Sequence, residues 1–112
     1  MLVVVVQRVE LHDEVTEWMD SLRDNEWDRT VVVIDRLASL GAAARMPLSR
    51  SLGDGLFELR FSLGSTSRRI TYRFTKNGTI VLLTTFRKQR DNERLEVARA
   101  RAACIACARI NP

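Results

Sequence analysis

Leu56-Phe57-Glu58-Leu59-Arg60-Phe61-Ser62-Leu63 alternates without a break, with Phe57, Leu59, Phe61 and Leu63 on one parity and Glu58, Arg60 and Ser62 on the other. A period of two predicts a strand with one apolar face and one polar face. Downstream, after the turn-rich Gly64-Ser65-Thr66-Ser67, the same period returns, with Ile70, Tyr72 and Phe74 alternating against Arg69, Thr71, Arg73 and Thr75. Asn77-Gly78 follows as a two-residue hairpin signal, and Ile80–Lys88 reads as the return strand. With Asn77 and Gly78 as the loop, Lys76 pairs with Thr79. Phe74 then opposes Val81, Arg73 opposes Leu82, Tyr72 opposes Leu83 and Arg69 opposes Phe86. Opposed residues share a face. The expected core face is therefore Ile70, Tyr72, Phe74, Val81 and Leu83, and the other face carries Arg69, Arg73, Phe86 and Lys88, with Arg60 joining it by its own strand's alternation.

Outward from this meander, residues 2–9 are rich in valine and predict a buried strand. Val15, Trp18, Met19 and Leu22 recur at helical spacing among acidic residues, and Trp27, Val31, Ile34 and Ala38 repeat the pattern up to Gly41, a helix stop. Residues 41–55 read as a connecting loop with room for one short helical turn, and Gly53-Asp54-Gly55 as a turn. From Asp91 to about Ile110 a C-terminal helix is expected. Leu95, Ala98, Ala102 and Ile105 form its apolar stripe, and Arg90, Arg94 and Arg101 lie on another face. The order β-α-α-β-β-β-α predicts an α+β fold, a mainly antiparallel four-stranded sheet packed with helices, as one domain over 1–112.

The chain has 112 residues and a net charge of +4, but the charge is regional. Residues 1–44 hold 4 Arg against 9 Asp and Glu, a net −5, whereas residues 45–112 hold 14 Lys and Arg against 5 Asp and Glu, a net +9. Such a split points to a polyanion-facing half. No stretch is long and apolar enough for a membrane span, and the apolar start lacks the basic region and cleavage site of a leader, so a cytoplasmic protein without a membrane partner is expected. Cys104 and Cys107 stand in an Ala-rich stretch with one histidine, His12, in the whole chain. Zinc lacks ligands, and the two thiols are expected to be structural. His12 is read as a solvated residue opening the first helix. No nucleophile elbow, phosphate loop, metalloprotease motif or dinucleotide fingerprint occurs, so neither metal nor cofactor is expected.

What remains is the cationic face: Arg60, Arg69, Arg73, Arg87, Lys88 and Arg90, with Phe86 among them. Such residues either solvate an open sheet or hold phosphates, and an aromatic ring among them can stack a base. Guanidinium and ammonium groups can also promote attack of a ribose 2′-hydroxyl on the adjacent phosphate without metal.

The three strand motifs Leu56–Arg60, Arg69–Arg73 and Ile80–Lys88, taken in order, resemble those of the RelE/ParE toxin superfamily, in its HigB-like, phage-derived branch. The helix carrying Trp18-Met19-Asp20-Ser21-Leu22 and the loop Leu48–Gly53 fit the same pattern. The resemblance implies a RelE-like fold and the toxin of a type II toxin–antitoxin system, a metal-independent endoribonuclease that cuts mRNA on the ribosome and is restrained by a helix-turn-helix antitoxin. It places Arg60, Arg69 and Lys88 at the reacting phosphate, and Arg73, Phe86, Arg87, Arg90 and Arg94 on RNA. Arg68 stands where the branch commonly has tyrosine, and Gln89-Arg90-Asp91-Asn92 departs from its usual final turn. The ParE branch shares the fold and inhibits gyrase, which leaves two alternatives: gyrase inhibition, or a non-catalytic domain binding nucleic acid or antitoxin.

Overall fold

The computed structural model describes residues 6–112. Its elements are β1 (Val9–Leu11), α1 (Asp13–Asp20), α2 (Asp24–Leu40), β2 (Ser49–Gly53), β3 (Leu56–Leu63), β4 (Thr66–Phe74), β5 (Ile80–Arg87) and α3 (Glu93–Ile110), with a short 3-10 turn at Gly41–Ala43. The sheet has five strands in the order β1-β5-β4-β3-β2. β1 runs parallel to β5 and every other pair is antiparallel. The α+β class and the meander are as the sequence predicts. Of the strand expected over 2–9, residues 2–5 lie outside the described residues, and the edge strand occupies Val9–Leu11 instead.

The fifth strand is β2, which falls inside the stretch expected to be loop. Its sequence, Ser49-Arg50-Ser51-Leu52-Gly53, is polar and mostly exposed and carries a register shift against β3, so it lacks the alternation that marks a strand. Gly53, Asp54 and Gly55 all take positive φ and turn β2 back into β3.

One face of the sheet is buried by the first two helices. Val15 and Met19 of α1 and Val33, Ile34 and Leu37 of α2 pack on Leu59, Phe61, Leu63, Ile70, Tyr72, Ile80 and Leu82. Gly41 ends α2 at φ 53, where a Cβ would lie 3.1 Å from Gln7 Cγ. The opposite face is partly covered by α3, whose Ala100, Cys104 and Cys107 pack on Leu56, Val81 and Leu83.

Two expectations are corrected here. Near the turn, the β4–β5 register is displaced by one residue: Phe74 pairs with Ile80, Arg73 with Val81 and Tyr72 with Leu82. The amide of Gly78 donates to Thr75 O at 2.9 Å, so Lys76 and Asn77 are the central turn residues, and Gly78 follows at φ 82. Asn77 does not take the positive φ that a two-residue type I′ loop requires. A bulge between Thr71 and Tyr72 then restores the expected register, so that Arg69 does pair with Phe86. In consequence Ile80 and Leu82, and not Val81 and Leu83, face the α1–α2 core.

The second correction concerns α3. The stripe Leu95, Ala98, Ala102 and Ile105 faces outward, with Leu95 75% exposed and Ile105 53% exposed. The sheet is already filled there by Leu56, Val81 and Leu83, and small side chains let the helix approach it. Both cysteines are free and buried, and burial pushes the Cys104 thiol up.

Candidate nucleic-acid interface

The register that places the site is a row across three strands. Arg60 pairs with Arg69, and Arg69 pairs with Phe86. One step along the same face is the row Glu58, Thr71, Thr84, in which the two threonine hydroxyls lie 2.6 Å apart. Beside Glu58 on the edge strand is Arg50. In the opposite direction Lys88 continues the face, its amide donating to Ser67 O at 2.8 Å.

Glu58 is the centre of this arrangement. Its carboxylate is fully buried, and its Oε1 lies 3.7 Å from Arg60 Nε and 3.8 Å from Arg69 Nε. Neither carboxylate oxygen, nor either Nε, has a hydrogen-bond partner among the described residues. Burial raises the Glu58 pKa above the ordinary carboxylate value, and Arg69 is the strongest of the charges opposing that rise. Arg69 responds in kind: burial, then the nearby Arg60, lowers its guanidinium pKa, with Glu58 acting in the other direction. Two guanidinium groups forced together around one buried carboxylate leave net positive charge at the sheet surface. That is the electrostatic form of a phosphate site.

Lys88 does not stand free. Its Nζ donates to Glu93 Oε2 at 2.8 Å, and that hydrogen bond holds the Glu93 carboxyl below the usual range. Glu93 opens α3, and the loop before it is tied by Asn92, which accepts from Gln89 N at 2.9 Å and donates to Arg87 O at 3.0 Å. The pair lies within electrostatic reach of Arg69, Arg50 and Glu58.

The remaining predicted site residues divide. Arg87, Arg90 and Arg94 are exposed and form no ion pair among the described residues. Phe86 lies on the same face as Arg69 but is only 5% exposed, so its ring is a packed group and presents no free face. Arg73 is buried under α3, donating to Asn111 O at 2.7 Å and Pro112 O at 3.5 Å, and is separated from the Arg60–Arg69 row. Its guanidinium caps the end of a helix, where cations are favoured. Arg68, on the opposite face, stacks 4.3 Å from the Trp18 ring centroid and donates to Thr85 Oγ1 at 2.8 Å. His12 is half-buried ahead of α1.

Sequence reasoning missed three site residues. In the sequence Glu58 is one polar residue of an alternating strand, and its position two residues before Arg60 is its signal. Arg50 lies in β2, whose polar sequence carries no strand alternation. Glu93 carried no signal, because its partner is defined by how α3 begins.

The family model of the phage-derived protein Gp49-like (DUF891) matches residues 17–105. The chain belongs to this Gp49-like family. The matched span includes the whole Glu58–Arg60–Arg69–Lys88 arrangement. No curated protein compared by sequence matches. Among solved structures, the RelBE2 toxin–antitoxin complex from Mycobacterium tuberculosis is similar at TM-score 0.57 and 17% identity, covering 75% of this chain and 100% of that one. A mutant of Escherichia coli toxin RelE in the free state is similar at TM-score 0.59 and 8% identity, over 86% of this chain and 94% of that one. The archaeal RelE–RelB complex from Pyrococcus horikoshii gives TM-score 0.57 and 22% identity, over 77% of this chain and 99% of that one. The Gp49-like chain therefore has the RelE fold, as its strand motifs imply.

Proposed function

We propose that this Gp49-like protein is the toxin of a type II toxin–antitoxin pair and acts as a ribosome-dependent mRNA endonuclease. The observation that carries the reading is the Arg60–Arg69 pair, pressed together around a buried carboxylate on one sheet face, with Lys88 next along that face. Similarity in fold to toxins solved with RelB antitoxins supports the pairing with an antitoxin. Its helix-turn-helix class, and a cytoplasmic site of action, are part of the same proposal. Among the described residues no helix is long and apolar enough to cross a membrane, and no cluster of metal-ligating side chains occurs.

In this reading Arg60 and Arg69 bind the scissile phosphate, and Lys88, exchanging Glu93 for substrate, stabilises charge that develops as the ribose 2′-oxygen attacks. The 2′-oxygen bonds to phosphorus while the bond to the 5′-oxygen breaks, leaving a 2′,3′-cyclic phosphate and a 5′-hydroxyl; a proton leaves the 2′-hydroxyl and one is delivered to the 5′-oxygen. Glu58 is a positioning residue that fixes both guanidinium groups.

The test is controlled expression followed by mapping of transcript 5′ ends. Arrested translation with new ends in translated messages is the expected result, abolished by Arg60→Ala or Arg69→Ala in protein that remains folded. Intact messages with gyrase–DNA breaks would overturn it in favour of gyrase inhibition, and retained toxicity of both variants would remove the site.

A further inference from the structure

Cys104 and Cys107 stand one helical turn apart on the face of α3 that packs on the sheet, and both thiols are free. Neither takes part in the phosphate chemistry above, and their surroundings differ. Cys104 is packed against Leu56, Val81 and Leu83 as part of the smaller core, and burial pushes its thiol up, with Arg73 the strongest group opposing the rise. Cys107 also lines an open cavity of about 250 Å³ near the end of α3, together with His12, Ala103, Ala106 and Ile110. We propose that Cys107 is an oxidant-sensitive thiol reached by hydroperoxides through this cavity, and that Cys104 resolves the product into an intrahelical disulfide that loosens the end of α3. The inference is independent of the RNA reading.

Access is the first support. Cys107 is only 5% exposed, which shuts out bulky reagents, but the cavity ends on its side chain and a hydroperoxide is little larger than water. Cys104 is not among the residues lining that cavity.

The second is the polar group at the sulfur. Arg73 Nη1 donates to Cys107 Sγ at 3.5 Å, and Arg73 forms no ion pair among the described residues, so its charge is not neutralised by a carboxylate. A cationic donor stabilises a cysteine sulfur as it takes on negative charge, which is the form that attacks an oxidant.

The third is spacing. Residues three apart in an α-helix have Cα atoms about 5 Å apart, inside the range of about 4.4–6.8 Å that a disulfide spans. Their Cβ atoms, about 5–6 Å apart, must close to about 3.5–4.5 Å, so the turn has to tighten. What gives way is the end of the helix. The same Arg73 Nη1 that meets Cys107 Sγ donates to Asn111 O at 2.7 Å, and Pro112 O accepts from the Lys76 amide at 2.9 Å. Drawing Cys107 toward Cys104 pulls on the contacts that tie this end to β4 and its hairpin.

The chemistry balances in two steps. Cys107 sulfur attacks the terminal oxygen of hydrogen peroxide, the O–O bond breaks, and the departing hydroxide takes the thiol proton as water, leaving a sulfenic acid. Cys104 sulfur then attacks Cys107 sulfur. The S–S bond forms, the S–O bond breaks, and hydroxide leaves with the Cys104 proton as a second water. Two thiols lose two electrons in all, and the peroxide gains them.

The test exposes the reduced full chain briefly to limiting hydrogen peroxide with dimedone present to trap sulfenic acid, followed by peptide mapping. Cys107 should be labelled about tenfold faster than Cys104. Without the trap, the intact mass should fall by two hydrogens and recover with dithiothreitol, and amide exchange in the oxidised protein should quicken at Lys76 and Asn111. Cys104→Ser, checked for a native spectrum, should still be labelled at Cys107 and should lose no hydrogens. Thiols that react only after denaturant is added, or equal labelling of the two, would overturn the proposal. A covalent dimer in place of the internal bond would remove Cys104 as the resolving thiol, and unchanged exchange at Lys76 and Asn111 would remove the loosening of α3. The decisive labelling is read on the unaltered protein, so the folding of the variant does not decide it.

Discussion

Arg69 Nε lies 3.8 Å from Glu58 Oε1, and both side chains are buried without a hydrogen bond joining them. A buried pair held this loosely contributes little to stability by itself, because the desolvation of both ions offsets their attraction. Its use is directional. The carboxylate lies between two guanidinium groups, of which Arg69 also donates through Nη1 to Arg68 O at 3.0 Å.

Glu58→Gln should therefore reduce cleavage while preserving the fold, and the change should be visible in pH dependence. Burial raises the Glu58 pKa, so in the native protein the carboxylate that orients Arg60 and Arg69 is lost as pH falls through a value above the ordinary carboxylate range. Activity should decline along that limb, and Glu58→Gln should show low activity without it. The stability term has the opposite direction. A carboxyl with a raised folded pKa favours the folded state fully below its unfolded value, and that contribution disappears as pH rises through the folded value. Urea denaturation at several pH values, on both proteins, checks the sign. An acid limb that survives in Glu58→Gln would detach Glu58 from the two arginines.

Glu93→Gln tests whether Lys88 is held in reserve. The Glu93 pKa is lowered by its bond to Lys88, so the pair's contribution is present above the unfolded carboxylate value and is lost as pH falls through the lowered one. Both groups are part-exposed, and the stability lost should be under about 1 kcal/mol. Freed of its competitor, Lys88 should bind phosphate more readily, so that RNA affinity rises and KM changes more than kcat. An unchanged KM would mean that substrate does not displace Glu93.

How much of this was legible beforehand depended on where side-chain size and periodicity carried the information. β3 and β4 declared themselves through Phe57–Leu63 and Ile70–Phe74, and α1 and α2 through Val15, Met19, Ile34 and Ala38. β2 did not, because an exposed polar edge strand has no apolar face to alternate. Asn77-Gly78 marks the hairpin, but Gly78 follows the turn instead of sitting at its centre, and a bulge then returns Arg69 to Phe86. The α3 stripe Leu95, Ala98, Ala102 and Ile105 follows helical spacing, whereas contact with the crowded sheet falls to Ala100, Cys104 and Cys107. That same covering helix makes Arg73 an interior group, and Phe86 is buried as well, which alternation within a strand cannot reveal.

Phe86→Ala should act first on stability. The ring is almost wholly buried, and removing a core phenylalanine costs about 3–5 kcal/mol. Thermal unfolding would register this as a large drop in Tm, with RNA affinity per folded molecule little changed. A stable variant that binds RNA poorly would instead restore a stacking role.

Arg73→Ala should likewise separate structure from chemistry. The guanidinium ties β4 to the end of α3 through Asn111 O and contacts Cys107 Sγ at 3.5 Å. Its loss removes the donor to Asn111 O, while Pro112 O keeps the amide of Lys76 at 2.9 Å, so the cost should be about 1 kcal/mol. Amide exchange should quicken at the C-terminal turns of α3 before it quickens in β3 or β4, because those strands keep their ladder. Arg73→Lys should recover part of the protection, since a lysine can reach one carbonyl but cannot span two with a planar fork. Cleavage by the folded fraction should stay within a few-fold of the unaltered protein. A selective loss of cleavage at undiminished stability would place Arg73 with Arg60 and Arg69 in spite of its burial.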